Sequence, residues 1–287
     1  MSEVKRKKIK ITEPESGSLH FLYKTAFGRL LLKLLTCRFV SVIGGSYMNS
    51  RLSKHRIEPF IKSNSINMAE YEKNDYKSYN EFFTRKIKKE NRPTDGRANA
   101  FISPCDSKLT AYKIDRNNRF LIKGSYYSVE ELICDKTTAD KYVGGYCLIF
   151  RLAVDDYHRY CYIDNGTQEK NIYIKGKLHT VQPIALSCCN FYKRNCREYT
   201  VLHTENFGDV VQVEVGALMV GKIKNLHENY RFTRGEEKGM FEFGGSTIVL
   251  LVSKNTVNID EEILQNTENG YETVVKFGEK IGEKITC

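Results

Sequence analysis

An apolar run near the C-terminus restricts the fold of this chain more than any other feature of the sequence. Residues 248–252 read Ile-Val-Leu-Leu-Val, and they directly follow the segment 243–247, which reads Phe-Gly-Gly-Ser-Thr. A small-residue turn that leads into such a run predicts a buried β-strand. The same turn also offers chemistry, because the hydroxyl of Ser246 can attack the carbonyl of Gly245, which glycine leaves sterically open.

The length and composition of the chain fit a folded protein with a substantial core. It has 287 residues, of which 41% are hydrophobic, enough for one large domain or two small ones. Its nine cysteines lack the Cys-x-x-Cys spacing of zinc sites, and its lysine-rich start runs into Glu13 and Glu15 rather than an apolar stretch. We therefore expect a reduced, cytosol-facing protein without disulfide bonds, metal or a secretory signal.

Basic charge is concentrated in the N-terminal third. Residues 1–100 contain 21 lysines and arginines against 10 acidic residues, whereas residues 101–287 contain 24 against 25. A basic block such as residues 5–10 attracts nucleic acid or an anionic membrane surface, unless it is only a solvated terminus. The charge alone therefore does not choose between these partners.

Helical patterns fill the same third of the chain. Residues 19–43 form a strongly apolar pattern that Arg29, Lys33 and Arg38 interrupt, so no transmembrane helix is predicted. This basic helix suits a membrane interface as well as packing on its own domain.

Two glycine- or serine-based signals place ends of these helices. Gly44-Gly45-Ser46 is expected to end the first helix. A second helix is predicted over about residues 50–61. A third begins near Ser78, where Ser78 and Glu81 have the spacing of a capping box, and runs to about Lys88.

After residue 100 the pattern changes to short β-rich runs separated by Gly, Asn and Asp turns. The clearest runs are Tyr146–Leu152, Ile172–Ile174, Val210–Val215, Ala217–Ile223 and Thr247–Val252. The fold class predicted is α+β, with N-terminal helices packed on a mainly antiparallel β domain. We expect a single domain over 1–287, made of a flexible basic tail (1–18), a helical, membrane-facing layer (19–95) and a catalytic β domain (100–255).

Four polar side chains are candidates for chemistry. Asp106, in the turn after Ser103-Pro104, either orients a histidine or forms a local Asx-turn. His158 and His179 are candidate acid–base groups, although a lone histidine is more often structural. Together with Ser246, an Asp, a His and a Ser on separate elements form a constellation that can activate a nucleophile.

In their order along the chain, these clusters resemble the phosphatidylserine decarboxylases. That family has the patterns Ser-Pro-x-Asp, Asp-Tyr-His-Arg and Val-Gly-Ala-x-x-Val-Gly-x-Ile, followed by Lys/Arg-Gly-x-Glu-x-Gly-x-Phe-x-x-Gly-Ser at a self-cleavage site. In this chain they stand at Ser103–Asp106, Asp156–Arg159, Val215–Ile223 and Arg234–Thr247, the last with one more glycine before its serine than the pattern has. The segment Tyr79–Lys86, with Arg92-Pro93 after it, resembles the family's helical N-terminal region, and the whole resemblance covers roughly residues 20–255.

The resemblance implies that the chain is a proenzyme. Ser246 would attack the Gly245 carbonyl to form an ester, and elimination and hydrolysis would leave a pyruvoyl group at a new N-terminus. The products would be a β chain of residues 1–245 and an α chain of residues 246–287, and the family leads us to expect a homodimer of this pair. The pyruvoyl group, derived from Ser246, would form a Schiff base with the substrate amine and accept the electrons released as CO2 departs.

The resemblance also assigns roles to the other candidates. Asp106 would orient a histidine that acts as the base for self-cleavage, and His158 is the first candidate for that base. Many family members have a second histidine three residues later, where this chain has Cys161. His158 therefore performs both proton transfers or shares them, with His179 as the first further candidate. Cys161 is a weaker one, because an unperturbed thiol is mostly protonated at pH 7.

A lipid substrate gives the basic N-terminal third a use. The resemblance implies phosphatidylserine in an anionic membrane as the partner, peripheral binding at the cytoplasmic face of the cell membrane, and no nucleic acid. Two other classes stay open. A serine hydrolase would use Asp106, His158 and Ser246, although the chain lacks a Gly-x-Ser-x-Gly elbow. A basic membrane- or RNA-binding module would explain the charge without catalysis. Within the decarboxylases, an enzyme for another serine-headed lipid is also compatible with the sequence.

Overall fold

The structure, a computed structural model, describes residues 5–11, 21, 25, 27–28, 38–73, 75–122, 125–176, 195–216, 222–243 and 246–285. Gly245 and His179, and most of the helix predicted over residues 19–43, lie outside these residues. No helix in the described part of the chain has the length and apolar character needed to cross a membrane.

The described residues form α-helices, short 3-10 helices and strands. The α-helices are α1 (Arg38–Asn49), α2 (Ile57–Ser63), α3 (Tyr79–Phe83), α4 (Val129–Ile133), α5 (Lys136–Asp140) and α6 (Glu261–Glu268). The 3-10 helices are Arg51–Arg56, Met68–Glu70 and Lys89–Asn91. The strands are β1 (Lys8–Lys10), β2 (Ala100–Ile102), β3 (Ser107–Lys113), β4 (Arg119–Ile122), β5 (Ser125–Ser128), β6 (Tyr146–Leu152), β7 (Arg159–Cys161), β8 (Gly166–Gln168), β9 (Ile172–Ile174), β10 (Arg197–Thr204), β11 (Gly208–Val215), β12 (Ile223–Asn225), β13 (Tyr230–Phe232), β14 (Glu237–Phe241), β15 (Ser246–Val252), β16 (Val257–Ile259), β17 (Tyr271–Val275) and β18 (Lys280–Lys284).

A large antiparallel sheet forms the centre of the molecule. Its strands follow the order β1-β17-β3-β6-β15-β11-β10-β8-β13, and β9 also pairs with β10. Smaller sheets of order β12-β14-β7, β16-β18-β2 and β4-β5 accompany it. This architecture confirms the predicted α+β class with a mainly antiparallel sheet.

Strand β15 lies in the middle of the large sheet, between β6 and β11. All of its residues are buried. Ile248, Leu250 and Val252 join one hydrophobic core, whereas Val249 and Leu251 join the core on the opposite face. The unbroken apolar run of the sequence therefore reflects a strand that is covered on both faces, and the prediction of a buried strand is confirmed.

A third core holds the N-terminal helical layer together. It is formed by Met48, Ile57, Tyr76, Tyr79, Phe82 and Phe83. Ser78 caps α3 as predicted, since its hydroxyl accepts a hydrogen bond from the amide of Glu81 at 3.2 Å. The helix is shorter than predicted and ends at Phe83 rather than near Lys88.

Two predictions about the N-terminal third differ from the structure. Helix α1 does not end at Gly44-Gly45-Ser46 but continues to Asn49, where the buried side chain of Met48 fixes its last turn to the helical layer. Residues 8–10 were predicted to be part of a flexible tail, but they form β1 and pair with β17. Arg6 explains this ordering, because its guanidinium binds Asp260 at 2.9 Å and also Glu279.

Candidate active site

Ser246 occupies the first position of β15, directly opposite Leu152 on β6. Its side chain is fully buried, and its hydroxyl has no hydrogen-bond partner among the residues that the structure describes. Buried hydroxyl groups normally have a hydrogen-bond partner, so one without a partner needs an explanation. The Ser246 hydroxyl is therefore a candidate for a chemical role. The hydroxyl of Thr247 also lacks a partner among the described residues.

Two chain connections have neighbouring ends near Ser246. One joins β6 to β7 and contains His158, and the other joins β14 to β15 and ends at Ser246. At one end, Leu152 pairs with Ser246 across the two strands. At the other end, the Phe241 amide donates a hydrogen bond to the His158 carbonyl at 3.0 Å. The antiparallel topology thus brings together the ends of the β6–β7 connection (residues 153–158, the histidine turn) and of the β14–β15 connection (residues 242–245, the serine turn). The order of these segments in the sequence does not reveal this.

His158 is fully buried, and its ring is fixed from two sides. Nδ1–H donates a hydrogen bond to the backbone carbonyl of Asp156 at 2.9 Å, and the ring packs on Phe83 with a centroid distance of 4.0 Å. Because a carbonyl oxygen can only accept, the neutral ring carries its hydrogen on Nδ1 and its lone pair on Nε2. This tautomer leaves Nε2 as the basic nitrogen.

Asp106 is buried and is held by cations. Its carboxylate accepts hydrogen bonds from the Arg92 guanidinium at 2.7 and 2.9 Å, from Lys276 Nζ at 3.2 Å and from the Phe277 amide at 2.8 Å. Burial by itself raises the pKa of the Asp106 carboxyl, but the hydrogen bond from Arg92 and the charge of Lys276 outweigh it, and the net pKa is lowered. Asp106 is therefore ionised at neutral pH.

The described partners of the Asp106 carboxylate are two cations and a backbone amide, and its role in orienting a histidine stays a prediction. The hydrogen bond at Nδ1 of His158 goes to the Asp156 carbonyl. The connection between the two residues is indirect, because the ring of Phe277 packs against that of Tyr157 at a centroid distance of 6.1 Å, and Tyr157 precedes His158.

Cys161 ends β7 and is fully buried in the core that also contains Leu152 and Ile248. Burial strongly raises the pKa of its thiol, so the thiolate is not formed near neutral pH. His179 and Gly245 lie outside the described residues, and their roles stay predictions.

A buried ion pair lies on the same face of the sheet as Ser246. Lys238 Nζ is 2.8 Å from Glu214 Oε1 and 2.8 Å from Asn225 Oδ1, and both charged side chains are fully buried. Glu214 pairs across strands with Ile248, two positions after Ser246. Among the described residues, no group of three His, Cys, Asp or Glu side chains is arranged to hold a metal ion.

The sequence did not point to the contacts that α3 makes with the serine turn. Asn80 Oδ1 accepts a hydrogen bond from the Phe243 amide at 2.9 Å, and the ring of Phe243 packs against those of Tyr79 and Phe83 at 5.0 and 5.3 Å. The resemblance had marked the segment Tyr79–Lys86, but residues so far apart in sequence carry no local signal of contact.

Comparison with known proteins places the chain among relatives of one kind. The family model described as phosphatidylserine decarboxylase matches residues 79–283. Phosphatidylserine decarboxylase proenzyme 2 of Clostridium acetobutylicum is 50% identical over 270 residues, covering 94% of this chain and 92% of the relative. A phosphatidylserine decarboxylase proenzyme of Clostridium botulinum is 44% identical, covering 93% of this chain and 92% of the relative, and that of Clostridium novyi is 40% identical, covering 98% of each.

Proposed function

Because the chain belongs to the phosphatidylserine decarboxylase family, we propose that it is a proenzyme that cleaves itself between Gly245 and Ser246 and converts phosphatidylserine to phosphatidylethanolamine. The observation that carries this proposal is the environment of the Ser246 hydroxyl. Its hydroxyl is buried without a partner in the described structure, at the start of the central strand and directly after two glycines.

Self-cleavage proceeds by an acyl shift followed by an elimination. The Ser246 oxygen attacks the Gly245 carbonyl carbon, the peptide C–N bond breaks, and the nitrogen of Ser246 becomes a free amine while its oxygen carries the ester. A base then removes the α-proton of Ser246, and the Gly245 carboxylate leaves. Hydrolysis of the resulting dehydroalanine releases ammonia and leaves a pyruvoyl group, with no external oxidant or reductant.

His158 is the base that we propose for the first step. Its tautomer places the lone pair on Nε2, where it can take the hydroxyl proton of Ser246, and the Asp156 carbonyl and the Phe83 ring hold the imidazole in place. We assign Asp106 a positioning role, because its hydrogen bond to the Phe277 amide supports the ring that packs on Tyr157. Cys161 has no part in proton transfer in this proposal, because burial keeps its thiol protonated.

The residues around Ser246 fit a pyruvoyl group. Conversion of the hydroxyl removes no side-chain hydrogen bond found in the described structure, and Leu152 of β6 pairs with the position in the sheet. Once formed, the group supplies an electron sink for decarboxylation. His158 then returns a proton to the substrate, and the apolar neighbours Leu152 and Phe83 limit access of water.

The two fragments are expected to remain one folded unit after cleavage. The fragment 246–287 contributes β15 to the centre of the large sheet and β17 to its flank, so separation would expose both main cores. By analogy with the family, we further propose that this pair forms a homodimer.

We also propose that the enzyme binds peripherally to the cytoplasmic face of an anionic membrane. The charge imbalance of the N-terminal third supports this, as do the side chains of Ile43 and Leu52, which are 54% and 75% exposed. In the sequence, Leu52 stands between the exposed Arg51 and Lys54. Apolar side chains flanked by cations match the chemistry of a lipid interface.

Intact mass measurement tests the proposed function. The purified protein should give two species that correspond to residues 1–245 and 246–287, the smaller one with pyruvoyl in place of its first serine. It should release CO2 from phosphatidylserine vesicles. The Ser246→Ala protein should remain one species and be inactive. A single full-length species from the wild-type chain would instead favour the serine hydrolase, and cleavage without release of CO2 would point to another serine-headed lipid.

A further inference from the structure

We propose that Asn80 is a positioning residue for self-cleavage, which holds the backbone just before the scissile bond through the amide of Phe243. The inference rests on the proposed cleavage between Gly245 and Ser246. It assigns the N-terminal helical layer a task in maturation, separate from any task at a membrane.

The Asn80 side chain has one available orientation. It is 7% exposed, lies in the first turn of α3, and donates from Nδ2 to Asn49 Oδ1 at 2.8 Å. Because the Phe243 amide can only donate, the atom 2.9 Å from it must be the oxygen of the Asn80 amide. The two hydrogen bonds therefore fix which end of the side chain faces the serine turn.

Anchors stand on both sides of the scissile bond. Phe243 is tied to Asn80, and Ser246 is locked into the sheet opposite Leu152. Glycine has no Cβ to restrict its backbone, and two glycines stand between these anchors in the sequence. Attack by a neighbouring hydroxyl needs a carbonyl held in a narrow range of distance and angle. The flanking anchors must supply this restriction, and Asn80 supplies the one on the upstream side.

The same helix also contacts the proposed base. Phe83 packs on the His158 ring at 4.0 Å and on the Phe243 ring at 5.3 Å, so a single aromatic side chain touches both. Helix α3 thus sets the position of the serine turn relative to the histidine turn. Asn80 fixes the backbone of the serine turn, and Phe83 fixes the spacing between the rings.

The test follows self-cleavage over time after cell-free synthesis, as the first-order rate at which fragment 246–287 appears. Asn80→Leu removes the acceptor at similar size and should slow cleavage by about tenfold or more. Asn80→Asp keeps an acceptor for the Phe243 amide, and Asn49 can turn its own amide to donate, so the rate should stay within about threefold of wild type. Rescue by Asp would separate positioning from a general effect on folding.

Two controls complete the design. Asn64→Leu changes another asparagine of the helical layer, whose hydrogen bonds go to Phe60 and Ser63, and should cleave like wild type. Thermal unfolding of each variant on a Ser246→Ala background measures stability without cleavage, and Asn80→Ala replaces Asn80→Leu if the latter does not fold. Wild-type cleavage by Asn80→Leu, or equal slowing by Leu and Asp, overturns the inference alone. Failure of the wild-type chain to cleave overturns the proposed function itself.

Discussion

Two buried side chains near the proposed cleavage site, His158 and Cys161, differ in their means of accepting a proton. The hydrogen bond from Nδ1 to the Asp156 carbonyl leaves a lone pair on Nε2 of the imidazole. The Cys161 thiol cannot act as a base in this way, because burial raises its pKa and keeps the proton on sulfur. The imidazole of His158 is therefore the base that we propose, whereas Cys161 packs in the core.

We predict that His158→Ala slows self-cleavage by roughly 10²- to 10⁴-fold, the usual contribution of a general base, whereas Cys161→Ala stays within about threefold of wild type. Both rates are measured by appearance of fragment 246–287. His203→Ala is the matched control, since that histidine lies between Asp209 and Glu169, at 2.7 and 3.1 Å, on another part of the surface. Normal cleavage by His158→Ala would remove this residue from maturation, and strong slowing by Cys161→Ala would restore the thiol as a candidate.

Residue identity could be predicted at this scale better than residue contact. The motifs selected Asp106, His158 and Ser246, and the structure places all of them in buried positions. The sequence could not show that Arg92 and Lys276 bind the Asp106 carboxylate, because these partners lie 14 and 170 positions away along the chain. Contacts of this kind depend on strand order, which no local pattern encodes.

At the scale of secondary structure, patterns that are enforced by packing were predicted well. Strand β6 has the predicted bounds, and β15 begins one residue before its predicted start. Glycine was the source of error in α1, where a helix-ending signal was overruled by the burial of Met48. The strand predicted over residues 217–223 lies mostly outside the described residues, and β12 begins at its last residue.

Helix α1 leads to a prediction about two glycines, Gly45 and Gly270. Both have room for a methyl group, but their backbone conformations differ. A Cβ at Gly45 or at Gly270 would meet no atom of the described structure within 4 Å, but Gly270 has a φ of +76° whereas Gly45 is helical. Gly45→Ala should therefore raise the free energy of unfolding by about 0.5–1 kcal/mol. Gly270→Ala should lower it by roughly 1 kcal/mol, because alanine is strained in the left-handed region.

Thermal or urea unfolding on the uncleaved Ser246→Ala background measures both changes on one homogeneous species. The two substitutions add the same methyl group, so they act as controls for each other. Destabilisation by Gly45→Ala would mean that α1 does not continue through this position in solution. An unchanged stability in Gly270→Ala would mean that the turn after α6 relaxes freely.

Across the whole molecule, net charge differs between the part that forms the large sheet and the part that forms the helical layer. The acidic and basic residues of 101–287 nearly cancel, and this part supplies every strand of the large sheet except β1. Residues 1–100 carry a net charge of +11 and supply the helical layer. Helix α3 joins the two parts through Asn80 and Phe83. The layer that contacts Phe243 also carries the exposed side chains of Ile43 and Leu52, so it links the proposed membrane side to the proposed reaction site.

This arrangement predicts membrane binding that depends on salt. The protein should sediment with vesicles containing anionic lipid at low ionic strength and be released as salt rises, because the screening length falls from about 10 Å at 0.1 M to about 3 Å at 1 M. Each well-placed lysine or arginine contributes about 1 kcal/mol. The exposed pair Arg51 and Lys62, changed together to glutamine, should thus weaken binding by about tenfold or more. Glutamine at the exposed Lys136 and Lys254 removes the same charge from the β domain and should have little effect. Equal loss in both double variants would show that net charge alone drives binding, and binding that persists at 1 M salt would show that apolar insertion dominates.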